Sequence, residues 1–179
     1  VEDDSVESVV KPRDRRAGPE ADYDRGMARI RSATAAEAPL LRGIQLASKA
    51  HWGYSGETMA RFAAVISMSD AYVLHADVWV IEDGGSVVGW YSLVQRDDVC
   101  ELHNMWVLPS HIGHGLGRRL YEHALTRARK SGATRLEWEA EPNAVGFYKH
   151  VGAKHLREAI SVLGNPISWM GVDLRIAAS

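Results

Sequence analysis

The 179-residue chain has one cysteine, no long apolar run and almost no excess of charge. Each absence excludes something. A single thiol, Cys100, cannot staple the fold, so a core must hold it, and such sparing use of cysteine suits a reducing compartment, here the cytoplasm. At the start of an apolar segment this thiol reads as a buried bystander rather than a nucleophile. No stretch approaches the ~20 apolar residues of a spanning helix, and the acidic first residues differ from a secretory signal. A net charge of −2 gives no basic field for nucleic acid or an anionic membrane, so neither is expected as a partner. His-Glu-x-x-His is missing, and His111 and His114 have no further ligand at metal spacing, so no metal site is expected. There is no internal repeat and no low-complexity tract.

What is present suits one soluble domain. Apolar residues make up 46% and charged residues 25%, ordinary for a globular protein, and the length allows a sizeable core. Residues 1–26 carry many charges and few large apolar side chains, which predicts a disordered tail ahead of a folded domain over 27–179.

Periodicity and turn signals order the elements. A strand is predicted over Ala28–Ser32 and a helix over Thr34–Lys49, with Thr34 as cap, Glu37 three residues on, and Pro39 implying a kink or a later start. A loop at His51–Tyr54 leads to a helix over Gly56–Met68. Strands at Val78–Ile81 and Ser86–Leu93 flank the turn Glu82-Asp-Gly-Gly85. A strand over Cys100–Val107 precedes a helix over Leu116–Lys130 and a strand over Thr134–Ala140. A short helix over Asn143–Val151, with Asn143 as N-cap, is followed by strands near Lys154–Val162 and Trp169–Ile176, joined at Gly164-Asn-Pro166. The strands on either side of the long helix should run parallel and the others antiparallel.

Residues Met105–Arg118, reading Met-Trp-Val-Leu-Pro-Ser-His-Ile-Gly-His-Gly-Leu-Gly-Arg, are the most informative. Three glycines, at 113, 115 and 117, open an amphipathic helix. Such a helix start has amides without intrahelical partners, and the helix dipole adds partial positive charge there. Its natural guest is a phosphate or pyrophosphate. Three glycines in five residues exceed what a plain turn needs. A Gly-x-Gly-x-x-Gly dinucleotide site would need its third glycine at Arg118, and one strand–helix–strand unit is too little for a doubly wound domain, although Glu137 lies where that motif wants an acid. A nucleotide-triphosphate loop is excluded because no Gly-Lys-Ser/Thr follows.

This stretch resembles the acetyl-CoA pyrophosphate loop of the GNAT superfamily of N-acetyltransferases, Arg/Gln-x-x-Gly-x-Gly/Ala after a strand ending Leu-x-Val. Gly115 and Gly117 match the glycines, and Met105 and Val107 match the strand end. About thirty residues on, Pro142-Asn-Ala-Val-Gly-Phe-Tyr-Lys-His-Val-Gly152 is similar to the family's Asn-x-x-Ala-x-x-Phe-Tyr-x-x-x-Gly-Phe helix, with Ala144, Phe147, Tyr148 and Gly152 in register. There are two departures. Ile112 stands where the family has Arg or Gln, and Glu141 falls in the place of the asparagine, with Asn143 two residues later.

The resemblance spans roughly residues 28–175. It implies an α+β fold, a mainly antiparallel mixed sheet flanked by helices on both faces with one parallel pair around the cofactor helix. It also implies acetyl transfer from acetyl-CoA to a primary amine of a small molecule or peptide. A homodimer is allowed for. Cofactor contacts would come from Met105, Trp106 and Val107, with pantetheine pairing as an added strand, and from Gly113, His114, Gly115, Leu116, Gly117, Arg118 and Asn143. His51, Trp52 and Tyr54 would form the acceptor wall. A non-catalytic acyl-CoA sensor and a nicotinamide-dependent oxidoreductase are the rival readings.

Amine attack on a thioester needs a base for the ammonium and an acid for the leaving thiolate. Tyr148 is the acid by motif position. Glu101 is one base candidate, placed by period two on a face with His103, Met105 and Val107. Glu139, near the end of the following strand, is the other, and His103 could relay a proton.

The tail should be dispensable. A chain beginning at Met27 is expected to keep the melting temperature and acetyl-CoA affinity of the full chain. A large loss of either, by calorimetry, would mean that residues 1–26 pack on the domain.

Overall fold

The computed structural model describes residues 28–66 and 68–175. The predicted tail and the last residue of the predicted final strand, Ile176, lie outside the described residues. Strand β1 (Arg29–Ser32) leads through a tight turn at Ala35–Glu37 into α1 (Ala38–Ala50), then α2 (Gly56–Val65) and α3 (Asp70–His75). A meander follows: β2 (Asp77–Asp83), β3 (Ser86–Arg96) and β4 (Val99–Val107). Helix α4 (Leu116–Lys130) crosses to β5 (Arg135–Ala140), and α5 (Val145–His150), β6 (Lys154–Ile160) and β7 (Pro166–Asp173) complete the fold. The seven strands form one sheet in the order β1-β2-β3-β4-β5-β7-β6. Among the described residues only β4 and β5 pair in parallel. No described helix is long and apolar enough to cross a membrane.

The α4 stripe of Leu116, Leu120, Tyr121, Ala124 and Ala128 is buried on one face of the sheet, against Tyr91, Leu93, Cys100, Leu102, Leu136 and Trp138. Each leucine of the stripe, fully buried, contributes about 1.5–3 kcal/mol. Leu41 and Ile44 of α1 and Val73 of α3 cover the other face over Val78, Val80 and Trp90. Burial raises the Cys100 thiol to about 11, and at 2% exposure it is an inert core residue.

Several boundaries differ from the pattern-based expectation. Pro39 sits in the first turn of α1, where it has no hydrogen bond to lose; the preceding turn is held by the Glu37 carboxylate, which accepts the Thr34 N–H at 2.7 Å. Helix α2 stops at Val65 because Ile66 is extended. Helix α3 was not anticipated. Its six residues are too few to show a period, but Ser69 caps it, accepting from the Tyr72 N–H. Asn143 does not cap α5: it lies inside a tight turn at Pro142–Ala144, and Ala144 holds the cap position. Pro166 opens β7 opposite Ile160 instead of ending the loop.

The phase of β4 is the larger correction. Leu93 pairs with Leu102 but Ser92 pairs with Asn104, so His103 is an extra residue in a β-bulge. The bulge resets the alternation. Leu102 and Met105, three apart, both pack on the α4 face, while Trp106 packs on the α1 face. Glu101 therefore does not share a face with Met105 and Val107.

Gly89 lies opposite Val107, and a Cβ there would sit 2.8 Å from the Trp106 carbonyl oxygen and 3.1 Å from Ile81 Cγ2. Gly89→Ala is expected to cost about 1–3 kcal/mol, since a backbone carbonyl cannot swing aside. A thermal melt tests this, and an unchanged midpoint would mean that β3 and β4 yield freely.

Candidate active site

Strands β4 and β5 pair only at Val99–Arg135, Cys100–Leu136 and Glu101–Glu137. Beyond Glu101 they part, and a cavity of about 490 Å³ opens between them. Residues 102–107 of β4 form one wall, with β3 on their far side and an open edge toward the gap.

The glycine loop closes one end. Gly113 and Gly115 have φ of +85° and +80°, a left-handed conformation that costs a side chain strain and glycine little. Gly115 is the N-cap of α4 and has no side chain to satisfy the first-turn amides. A Cβ on Gly117 would meet the Phe147 ring at 3.8 Å, so loop and α5 are in near contact. Gly113, Gly115, Gly117 and Arg118 all line the cavity, as do Met105, Trp106, Val107 and Asn143. Leu116 and His114 do not. The Leu116 side chain is buried under α4, so it can offer only its backbone, and His114 is exposed. Ile112 also lines the cavity and brings no donor to it.

Tyr148 and Glu139 line the cavity where the strands diverge. Tyr148 is 6% exposed, and its ring is held by Trp138, Phe147 and Tyr121 at centroid distances of 4.7, 5.2 and 6.1 Å. Burial, aided by Tyr121, pushes its phenol well above the ordinary value, so the proton is retained. Burial also raises the Glu139 carboxyl; His103 opposes this, while Glu101 and Glu141 add to it.

Glu101 is placed differently. It lies outside the cavity lining, bound to Arg96 Nε at 2.9 Å and to His103 Nε2 at 3.0 Å. Burial works against its charge, but Arg96 and His103 outweigh it and hold the carboxyl below its ordinary value. Of the two base candidates, only Glu139 faces the cavity.

On the acceptor side, Trp52 lines the cavity, whereas His51 and Tyr54 do not. Tyr54 works indirectly. Its hydroxyl donates to Glu141 Oε2 at 2.9 Å, and its ring lies 4.4 Å from Lys49 Nζ. Lys49 is 3% exposed, and its ammonium is paired with Glu141 Oε1 and lies 4.9 Å from the Phe62 ring. Burial and Glu141 raise the Tyr54 phenol to about 12. This cluster escaped sequence reasoning because Lys49, in the last turn of a helix, looks like a solvated surface residue. The one signal was Glu141 in the place of the motif's asparagine, and the departure has a structural reason: that carboxylate ties β5 to the loop after α1.

A seven-stranded sheet with one parallel pair, parted over a glycine-led helix start, defines the class of fold. The chain belongs to the acetyltransferase (GNAT) family, whose model matches residues 48–153. Over 94 residues it is 33% identical to the uncharacterized N-acetyltransferase YjgM of Escherichia coli, a stretch covering 49% of this chain and 56% of that protein. The chain thus spans about half the length of this curated relative. PaiA N-acetyltransferase of Thermoplasma acidophilum, solved in complex with coenzyme A, shares the fold with a TM-score of 0.69 at 16% identity, over 82% of this chain and 99% of that one. The ribosomal-protein-S18-alanine N-acetyltransferase of Escherichia coli gives 0.63 at 20% identity, over 85% and 97%.

The buried pair makes an asymmetric prediction. Glu141→Gln strands a nearly inaccessible ammonium and should cost about 3 kcal/mol. Lys49→Met should cost less, because the Glu141 carboxylate keeps Tyr54 and some solvent. Denaturant melts of both variants check the order, and equal losses would contradict it.

Proposed function

We propose that this chain transfers an acetyl group from acetyl-CoA to a primary amine of a small molecule or peptide, by direct attack on the thioester. The observation that carries the reading is the open edge of β4. It runs from the glycine loop to the point where Tyr148 and Glu139 face one cavity. A pantetheine arm laid along residues 105–107 would pair with that edge as an added strand. Its pyrophosphate would lie on the amides following Gly113, with Arg118 beside it; because Ile112 supplies no donor, the backbone carries this contact.

In this reading the acceptor enters from the Trp52 side. Glu139 takes a proton from its ammonium, directly or through water, and the free amine attacks the thioester carbonyl. The new C–N bond forms as the C–S bond breaks, the Tyr148 hydroxyl protonates the departing thiolate, and the attacking nitrogen gives up its second proton, which restores the Tyr148 hydroxyl through water. Charge supports the orientation: Arg118 follows the glycine loop meant for phosphates, and Glu139 and Glu141, at the end of β5, would face a cationic amine. The single buried thiol accords with action in the cytoplasm.

Gly115→Glu would place a strained side chain and a negative charge at the pyrophosphate position, so calorimetry should find acetyl-CoA binding largely lost. Unchanged affinity would remove the loop from the site. Tyr148→Phe should lower turnover by ~10²–10⁴-fold with little change in acetyl-CoA affinity. Full activity would leave solvent as the proton donor, and binding without any turnover across an acceptor screen would favour the sensor reading.

The base sets the pH dependence. Glu139 must be ionised to act and its value is raised, so kcat/KM should fall as pH drops through a point above the ordinary glutamate value. Glu139→Gln should abolish that acid limb and Glu101→Gln should leave it in place. The reverse outcome would make Glu101 the base.

A further inference from the structure

Asn104 follows the bulged His103 and faces the helices α1 and α3. Its side-chain amide is saturated. Nδ2 donates to Tyr72 Oη at 3.1 Å and to Ser92 Oγ at 3.0 Å. Oδ1 accepts from Gln45 Nε2 at 3.2 Å and from Trp106 Nε1 at 3.1 Å. An indole N–H can only donate, so the amide orientation is fixed. Tyr72 Oη and Ser92 Oγ share a further hydrogen bond of 2.8 Å. Ser92 is fully buried and Gln45 is 5% exposed, so these partners have little access to water if the amide is lost.

The placement of this hub gives it a consequence. A strand slipped by one residue turns every side chain to the opposite face. The bulge at His103 is such a slip, and it separates the Leu102 phase from the Met105 phase. Asn104 is the first residue in the new phase. It is tied to the residue directly across in β3, to α1, to α3, and to Trp106, its neighbour on the same face. A continuous alternation through 100–107 would turn Asn104 and Trp106 together to the opposite face and break the bonds to Ser92, Tyr72 and Gln45.

We propose that Asn104 is a positioning residue whose amide locks the β4 bulge and so aims the open edge at residues 105–107 toward the thioester-bearing arm. This rests on the acetyl-CoA reading above. Asn104 lines the cavity but has no free donor or acceptor, so it acts through the strand it holds.

The test compares Asn104→Leu, which removes all four bonds, with Asn104→Asp. An aspartate keeps an oxygen for Gln45 and Trp106, and the Tyr72 and Ser92 hydroxyls can turn to donate to its other oxygen. At a temperature well below both melting points, Asn104→Leu should raise the acetyl-CoA Kd at least ~10-fold, while Asn104→Asp stays within ~3-fold of the unaltered protein. Amide exchange over residues 102–107 should quicken in Asn104→Leu alone. Should that variant not fold, Tyr72→Phe takes its place: Tyr72 lies outside the cavity lining, and loss of its hydroxyl should still weaken acetyl-CoA binding and quicken the same amides. A lower melting point with unchanged Kd and exchange would reduce the hub to a stability element and overturn the inference. No binding by the unaltered protein would instead bring down the acetyl-CoA reading, and this inference with it.

Discussion

The structure depends on the brevity of one parallel strand pair. Strands β4 and β5 meet over three residue pairs and then part, although β4 continues for six residues and β5 for three. Backbone amides and carbonyls must find partners somewhere. Along the parted stretch β4 has β3 on one side only, so its other edge can be satisfied by water or by a ligand with an extended polar chain. The crossover helix α4 returns from the end of β4 to the start of β5, which sets its N-terminus beside the opening. A strand edge and an anion-binding helix start are thus adjacent for topological reasons, before any particular side chain is considered.

Arg118 at the start of α4 and the carboxylates Glu139 and Glu141 at the end of β5 line the same cavity. Glu139 and Glu141 differ despite being two residues apart. Glu141 is held by Lys49 and Tyr54 and serves as a tether between β5 and the loop after α1. For Glu139, burial raises the carboxyl and outweighs the opposing influence of His103 and Arg157. Tyr148 shows the same separation of roles on the aromatic side: Trp138, Tyr121 and Phe147 exclude water, and the proton stays on its oxygen.

Much of this was legible locally. The glycines at 113, 115 and 117 announce a helix start open to a ligand, because the left-handed backbone at Gly113 and Gly115 is a property of those residues. Helix α4 was bounded correctly at both ends by its stripe and by Gly132. The phase of β4 was not legible. Period two is a rule for an unbroken strand, and the bulge that breaks it is held by Gln45, Tyr72 and Ser92, which are distant in sequence. Asn143 looked like a cap for the same reason: its residue type is suited to the task, but the preceding Pro142 already starts a tight turn.

The sequence by itself determined most of the elements, the parallel pair, the glycine-led start of α4 and the aromatic helix face that carries Tyr148. These follow from backbone preference and apolar spacing within a few turns of chain. Tertiary structure decided which carboxylate faces the cavity, that Lys49 is buried, and where β4 leaves β5. Each of those outcomes balances the desolvation of a polar group against partners that only the folded sheet and its covering helices bring within reach.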